Sequence, residues 1–428
     1  MIEHTIHNAP ELKDIGNIKF PKWTKIYLDN KVPAYIIDAG EQEILKIEII
    51  FPAGRWQESK FGVASFTAKM LKEGTAKYSS EELSDKIDFL GANIKVSAFA
   101  DYASITIYTL NKYLHQVFAV LDEMFFNAIF PEDELELLKK ISGQKLQIEN
   151  ERIEYRAQKY FMQRIFGKDH PYGHYENAAD LEEFDRSDLV NFFRSNYLCH
   201  QCKIVVAGKT TPDTERILNK HFGKKIENGQ HVITQKYKFH PAKEQAYFDE
   251  KIGATQSAIR IGKSFINRLH PDYHKLRILN VILGGYFGSR LMNNLREDKG
   301  YTYGIYSGLH SYLHGGLFYI GSEVGSDVTR AATKEIYVEL ERLQEELITA
   351  DELELVRNYI LGTILNSIDG PFSTSAIVKN LAIYGQDESH FYNFVETVRS
   401  VSAQQLQDVA IKYLDTDSFY EVISGCVT

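Results

Sequence analysis

The 14 histidines are the first place to look for hydrolytic chemistry, because a zinc hydrolase holds its metal with imidazoles and carboxylates at helical spacing. Neither HExxH nor HxxEH occurs in the 428 residues. Three histidine pairs stand four apart: His170/His174, His270/His274 and His310/His314. Pro171 and Gly173 interrupt the first and Pro271 the second. The third lies between two predicted strands, where four residues of extended chain span ~13 Å. All three read as loop or surface histidines. Cys199-His200-Gln201-Cys202 has redox or half-zinc spacing, yet it runs straight into the apolar strand Lys203–Ala207 instead of opening a helix, and only Cys426 remains as a further thiol. Gly284-Gly285-Tyr286-Phe287-Gly288 follows a helix and lacks the Lys-Ser/Thr ending of a phosphate loop.

More chemistry is available in Ser289–Tyr306, SRLMNNLREDKGYTYGIY. Leu291 and Leu295 put one helix face in the core, Gly300 suits the left-handed turn after it, and a strand bearing Tyr301, Tyr303 and Tyr306 follows. Arg296 and Tyr303 are seven residues apart across that turn, so a guanidinium and a phenol can converge on one point. The competing reading is structural, an arginine compensating the helix C-terminus beside a half-buried tyrosine.

The elements that position these residues come in two copies. DELEL occurs at Asp133–Leu137 and again at Asp351–Leu355, 218 residues later. Before the first copy, the spacing predicts a strand over Ile44–Phe51, a helix from Phe61 and a short helix capped by Ser79 and Glu82. Strands Asn93–Ala100 and Ala103–Leu110 follow, then a helix carrying Leu114 to Phe125. The second half repeats this order with a strand near Ser257–Gly262, two helices, strands near Tyr301–Gly308 and Leu317–Val324, and a helix from Asp327. Sequence-adjacent strand pairs between helices predict an α+β protein. It has two homologous α/β domains, 1–228 and 229–428, each a largely antiparallel sheet with helices packed on one face. The join falls in the polar stretch Lys224–Glu250.

Composition is that of an ordinary folded protein, 44% apolar and 25% charged. A net charge of −9 disfavours nucleic acid, no apolar run is long enough for a bilayer, and the acidic start MIEHTIHNAPELKD is unlike a secretory signal. A cytoplasmic chain is the expectation.

Four stretches together resemble the pitrilysin/insulinase family of zinc metallopeptidases: GVASFTAKMLKEGT at Gly62–Thr75, FLGANIKVSAFADYASITI at Phe89–Ile107, FGKDHPYGH at Phe166–His174 and SRLMNNLREDKGYTY at Ser289–Tyr303. The resemblance implies two homologous domains whose sheets, with those of a second chain or half, enclose a peptide chamber. It also implies that the inverted zinc motif HxxEH falls on Ser65, Phe66, Thr67, Ala68 and Lys69, and the third ligand on Lys145. Both histidines and the catalytic glutamate are therefore replaced, and no metal is expected on this chain. A protonated lysine has no lone pair for Zn²⁺, and two of them would repel it. The family's R-x6-Y pair falls on Arg296 and Tyr303, which in the family help bind the peptide backbone and oxyanion across the chamber from the zinc. The expected function is that of a zinc-free, substrate-binding subunit of a two-chain metallopeptidase, inactive alone. Its partner would be an HxxEH-bearing chain that holds the zinc, with a homodimer as the alternative state of the isolated chain. The rival expectation is a catalytically inactive scaffold or interaction protein of the same fold.

Overall fold

A computed structural model describes residues 15–223 and 237–426, and the expected boundary at 228/229 lies outside them. The strands, in chain order, are β1 (Thr24–Tyr27), β2 (Pro33–Asp38), β3 (Ile44–Phe51), β4 (Asn93–Ala98), β5 (Ala103–Leu110), β6 (Lys203–Gly208), β7 (Ala246–Glu250), β8 (Gln256–Phe265), β9 (Thr302–Tyr312), β10 (Gly315–Gly325) and β11 (Tyr420–Gly425). One sheet has the order β1-β2-β6-β3-β5-β4 and the other β7-β11-β8-β10-β9. Setting the edge strand β1 aside, the second order restates the first. In both, the last strand of the half inserts parallel to the first and antiparallel to the next, as β6 does between β2 and β3 and β11 between β7 and β8. The duplicated α/β architecture expected from the DELEL repeat is therefore present, and the two DELEL strings open the equivalent helices Glu132–Asn150 and Ala350–Ser367.

Local signals place these elements. Ser79 accepts from the Glu82 amide while Glu82 accepts from the Ser79 amide, the reciprocal cap its spacing predicts. Gly300, at φ +65°, sits in the left-handed region beyond Met292–Asp298, with its N–H donating to the Arg296 carbonyl and that of Tyr301 to Leu295.

The sheets differ from the one-faced alternation of the sequence reading. In β3, Leu45, Ile47 and Ile49 face the helices of their own half, while Ile50, with Tyr35 and Ile37 of β2 and Val205 and Ala207 of β6, joins a cluster built mostly from the other half. That opposite face is covered by helix Gly370–Tyr384, where Lys379 pairs with the buried Glu48 at 2.9 Å and Lys46 donates to Ser375. Reciprocally, helix Ile153–Phe166 packs on β8 and β11, with Phe161 and Ile165 clustered with Leu317 and Val422. Arg156 grips the buried Asp249 of β7 through two 2.6 Å bonds. Each half thus lends the helix after its DELEL helix to the other half's sheet, and apolar burial of about 1.5–3 kcal/mol per large side chain ties the halves together. Among the described residues no helix is long and apolar enough to cross a membrane.

Candidate functional site

Two places hold the sequence-derived residues, and they are separate. The first is helix Val63–Met70, entered through Gly62 at φ +94°. Ser65 lines a cavity of about 720 Å³ between the halves, whose walls also include Arg55, Glu58 and Glu176 from one half and Tyr312 and Tyr384 from the other. Ala68 is buried, and Lys69 is exposed with its ammonium 4.5 Å from the Phe66 ring centroid. Partial desolvation lowers the Lys69 pKa, nearby Lys145 lowers it further, and Glu176 opposes both. The structure therefore brings Lys69 within electrostatic reach both of Lys145 and of Glu176, a carboxylate that no spacing rule had marked. Burial raises the Glu176 pKa, against the pull of Lys69.

Glu58 is the other unmarked residue. It is buried, one carboxyl oxygen accepts from the Ala64 N–H at 2.9 Å, and the other has no partner. Burial pushes its pKa up to about 8, although Ala64, Gly62 and Arg55 favour the charged form. Position 58 caps the degenerate helix as a neutral acid at pH 7. Neither carboxylate could have been found from a motif, since chain closure over more than a hundred residues brings Glu176 to Gly62.

This residue set does not fit zinc. A hydroxyl, a methyl and two ammoniums stand at the expected positions, and among the described residues no group of three or more His, Cys, Asp and Glu is arranged to hold a metal ion. The histidine pairs do other work. His174 bonds Asp180 at 2.8 Å and lies flat on Phe61, and His314 stacks on Trp56. His170 and His174 are buried, where the sequence reading had loop or surface residues, because the Pro171–Gly173 turn folds them inward against Trp56 and Phe61. Cys199 and Cys202 are buried at the entry to β6. Elemental analysis of the purified chain should find well under one zinc, unchanged by substitution at Ser65, Lys69 or Lys145. One zinc per chain that those substitutions remove would contradict this.

The second place is the Arg296/Tyr303 surface. The helix carrying Arg296 winds in π-turns over Met292–Asp298, a geometry often met at functional positions. The Arg296 guanidinium lies over the Phe287 ring at 4.4 Å. Tyr303, near the start of β9, is 94% exposed, not half-buried as the structural reading required, and among the described residues its hydroxyl has no hydrogen bond. No ion pair or hydrogen bond joins it to Arg296, and neither residue lines the cavity above Ser65. Phe287 (63%) and Tyr306 (42%) are exposed with it.

Two family models match the chain: insulinase (peptidase family M16) over residues 36–171 and the peptidase M16 inactive domain over 183–360. The chain belongs to peptidase family M16. It is 24% identical over 366 residues to a Bacillus subtilis protein named uncharacterized zinc protease YmxG, across 85% of this chain and 88% of that one. A Helicobacter pylori protein named non-peptidase homolog YmxG is also 24% identical, across 72% and 71%. The fold is shared with the crystal structure of a peptidase M16 inactive domain from Pseudomonas fluorescens, at TM-score 0.86 and 22% identity over 95% of this chain and 98% of that one. This chain is an M16 chain of the inactive-domain type.

Proposed function

We infer that this chain is the zinc-free, substrate-binding subunit of a two-chain M16 metallopeptidase, presenting Arg296 and Tyr303 to the HxxEH site of a partner of similar size that carries the zinc. The observation that carries this reading is Tyr303 itself. A phenol 94% exposed, with no hydrogen bond among the described residues, gains nothing from packing or hydrogen bonding within its own chain. Among the described residues the Arg296 guanidinium has a 3.7 Å ion pair with its exposed neighbour Glu297 and a ring contact with Phe287, and the Tyr303 O–H has no hydrogen bond. Both therefore keep donors for an oxyanion that forms elsewhere, where donors aimed at developing charge stabilise the transition state. Aromatic rings and arginine are also the side chains most enriched at the centres of protein interfaces.

The scaffold reading is favoured by a different fact, the replacement of every zinc ligand, and one experiment separates the two. Mixing this 49.1 kDa chain with an M16 chain bearing HxxEH from the same source should give a complex of about twice the mass and switch on cleavage of unstructured peptides. A partner whose activity is the same with and without this chain would leave the scaffold reading standing.

A further inference from the structure

A second cavity, of about 320 Å³, opens in the helical layer of the C-terminal half. Its walls come from helices Tyr273–Asn280, Ala350–Ser367, Gly370–Tyr384 and Ser389–Ser400 and from the chain following β8. One end is cationic. Arg268 and Arg277 both line it, and among the described residues neither guanidinium donates a hydrogen bond or has a carboxylate ion-pair partner. Each lies over an aromatic ring, Arg268 over Tyr384 at 5.0 Å and Arg277 over Phe394 at 3.6 Å, which eases the charge and accepts none of the in-plane N–H groups. Arg268 Nε is buried without a partner.

His390 also lines this end, and His274 stands behind it with ring centroids 4.5 Å apart. The Gln386 side-chain amide lies 2.9 Å from His390 Nδ1. His390 Nε2 and His274 Nδ1 are both buried and unpartnered. Burial first, and then the two arginines, push the pKa of His274 down to about 4 and that of His390 to about 3, so both are neutral at pH 7 and each keeps one N–H. The ionisable neighbours that act on this group are Arg268, Arg277, Tyr273 and Tyr384, with no acid among them. The rest of the lining is largely apolar, with Ile364, Ile377, Leu381 and Phe391, and includes Ser367 and Asn380.

Two cations with no carboxylate partner among the described residues favour an anionic guest, since a charge buried without a counter-charge gives up its hydration uncompensated. We propose that this cavity binds a small organic anion, a carboxylate or phosphate monoester carrying a short apolar body, with its charged head between Arg268 and Arg277 and its body against Ile364, Ile377, Leu381 and Phe391. The arginine fork suits both head groups, because each offers paired oxygens to two parallel N–H bonds. Asn380 lines this cavity and the larger one above Ser65, so the bound anion would lie one side chain away from the space between the halves. The site does not depend on the subunit reading.

Calorimetric titration of the full chain at constant ionic strength, with hexanoate, n-butyl phosphate, inorganic phosphate and hexanol, tests this. Hexanoate or butyl phosphate should bind at one site per chain, at least tenfold more tightly than hexanol or inorganic phosphate, and the tighter of the two identifies the preferred head group. Arg277→Met should weaken that binding at least tenfold, and Arg268→Lys, which keeps charge and loses the fork, should also weaken it. Thermal unfolding gives a second readout. The anion should raise the Tm of the parent and not that of Arg277→Met, while Arg277→Met without anion should melt no lower than the parent. Binding of hexanol as tight as hexanoate, no binding of either anion, or an unchanged affinity in both variants would overturn the proposal.

Discussion

Tyr303→Phe, in a complex reconstituted with an HxxEH-bearing chain, should lower turnover on the order of 10²-fold, the cost of one oxyanion donor. The fold gives this substitution an unusually clean background. The hydroxyl has no hydrogen bond among the described residues and the ring is 94% exposed, so the variant should fold and melt like the parent. Arg296→Ala should do at least as much harm to turnover, and it gives up the contact with Phe287, worth about 0.5–1 kcal/mol at an exposed site. A rise in KM beside the fall in kcat would mean that Arg296 also holds the ground-state carbonyl. If both groups address one oxygen, the double variant should lose less than the product of the single losses. Complex formation should keep its affinity throughout. Turnover by Tyr303→Phe within about threefold of the parent would remove the catalytic role and return the pair to interface packing.

Glu58→Gln should abolish a large slope of stability against pH. The native carboxyl titrates near pH 8 and the unfolded one near 4.5, so between those values the folded chain holds a proton that the unfolded chain has released. Its contribution is fully present below about pH 4.5 and fades as pH rises to 8, by on the order of 4 kcal/mol in all. Glutamine keeps an oxygen for the Ala64 N–H and has no charge to bury. The variant should therefore match the parent near pH 5 and exceed it increasingly towards pH 8, in urea unfolding followed at each pH. Parallel profiles for the two proteins would show that Glu58 is not neutral in the fold.

What could be read from sequence followed the range of the interactions. Strands β3, β5, β9 and β10, the reciprocal Ser79/Glu82 cap and the left-handed Gly300 are set by neighbours within a few residues, and their patterns are local. β11 carried no such signal. Its residues YEVISG are short, and its place in the sheet is fixed by partners more than 150 residues earlier. The same holds for the site. Arg296 and Tyr303 sit on one helix-turn-strand unit, so their spacing survives in the sequence. Glu176 and the Arg268/Arg277/His390 cluster are assembled by segments far apart in the chain, and no periodicity points to them. Glu58 meets the Ala64 N–H six residues on without any motif to mark it, and His274 was visible only through its spacing from His270. The alternation in β3 was partial for a physical reason, since both faces are covered and Lys46 and Glu48 are buried as an ion pair with each other at 2.9 Å.

The insertion of β6 and β11 into the middle of their sheets sets an order of assembly. Each sheet's interior strand is the last of its half to leave the ribosome, so β2 and β3, and later β7 and β8, wait with open hydrogen-bonding edges until it arrives. Such long-range closure is slow, because the loop entropy is spent before the ladder forms. The C-terminal sheet likewise stays open until β11, Tyr420–Gly425, can pair with β7 and β8, and the helix Gly370–Tyr384 that covers the first sheet is also made long after that sheet's own strands. The nascent chain therefore passes through a stage in which two apolar sheet faces are uncovered together, and this is the stage at which a chaperone or a partner subunit has most to protect.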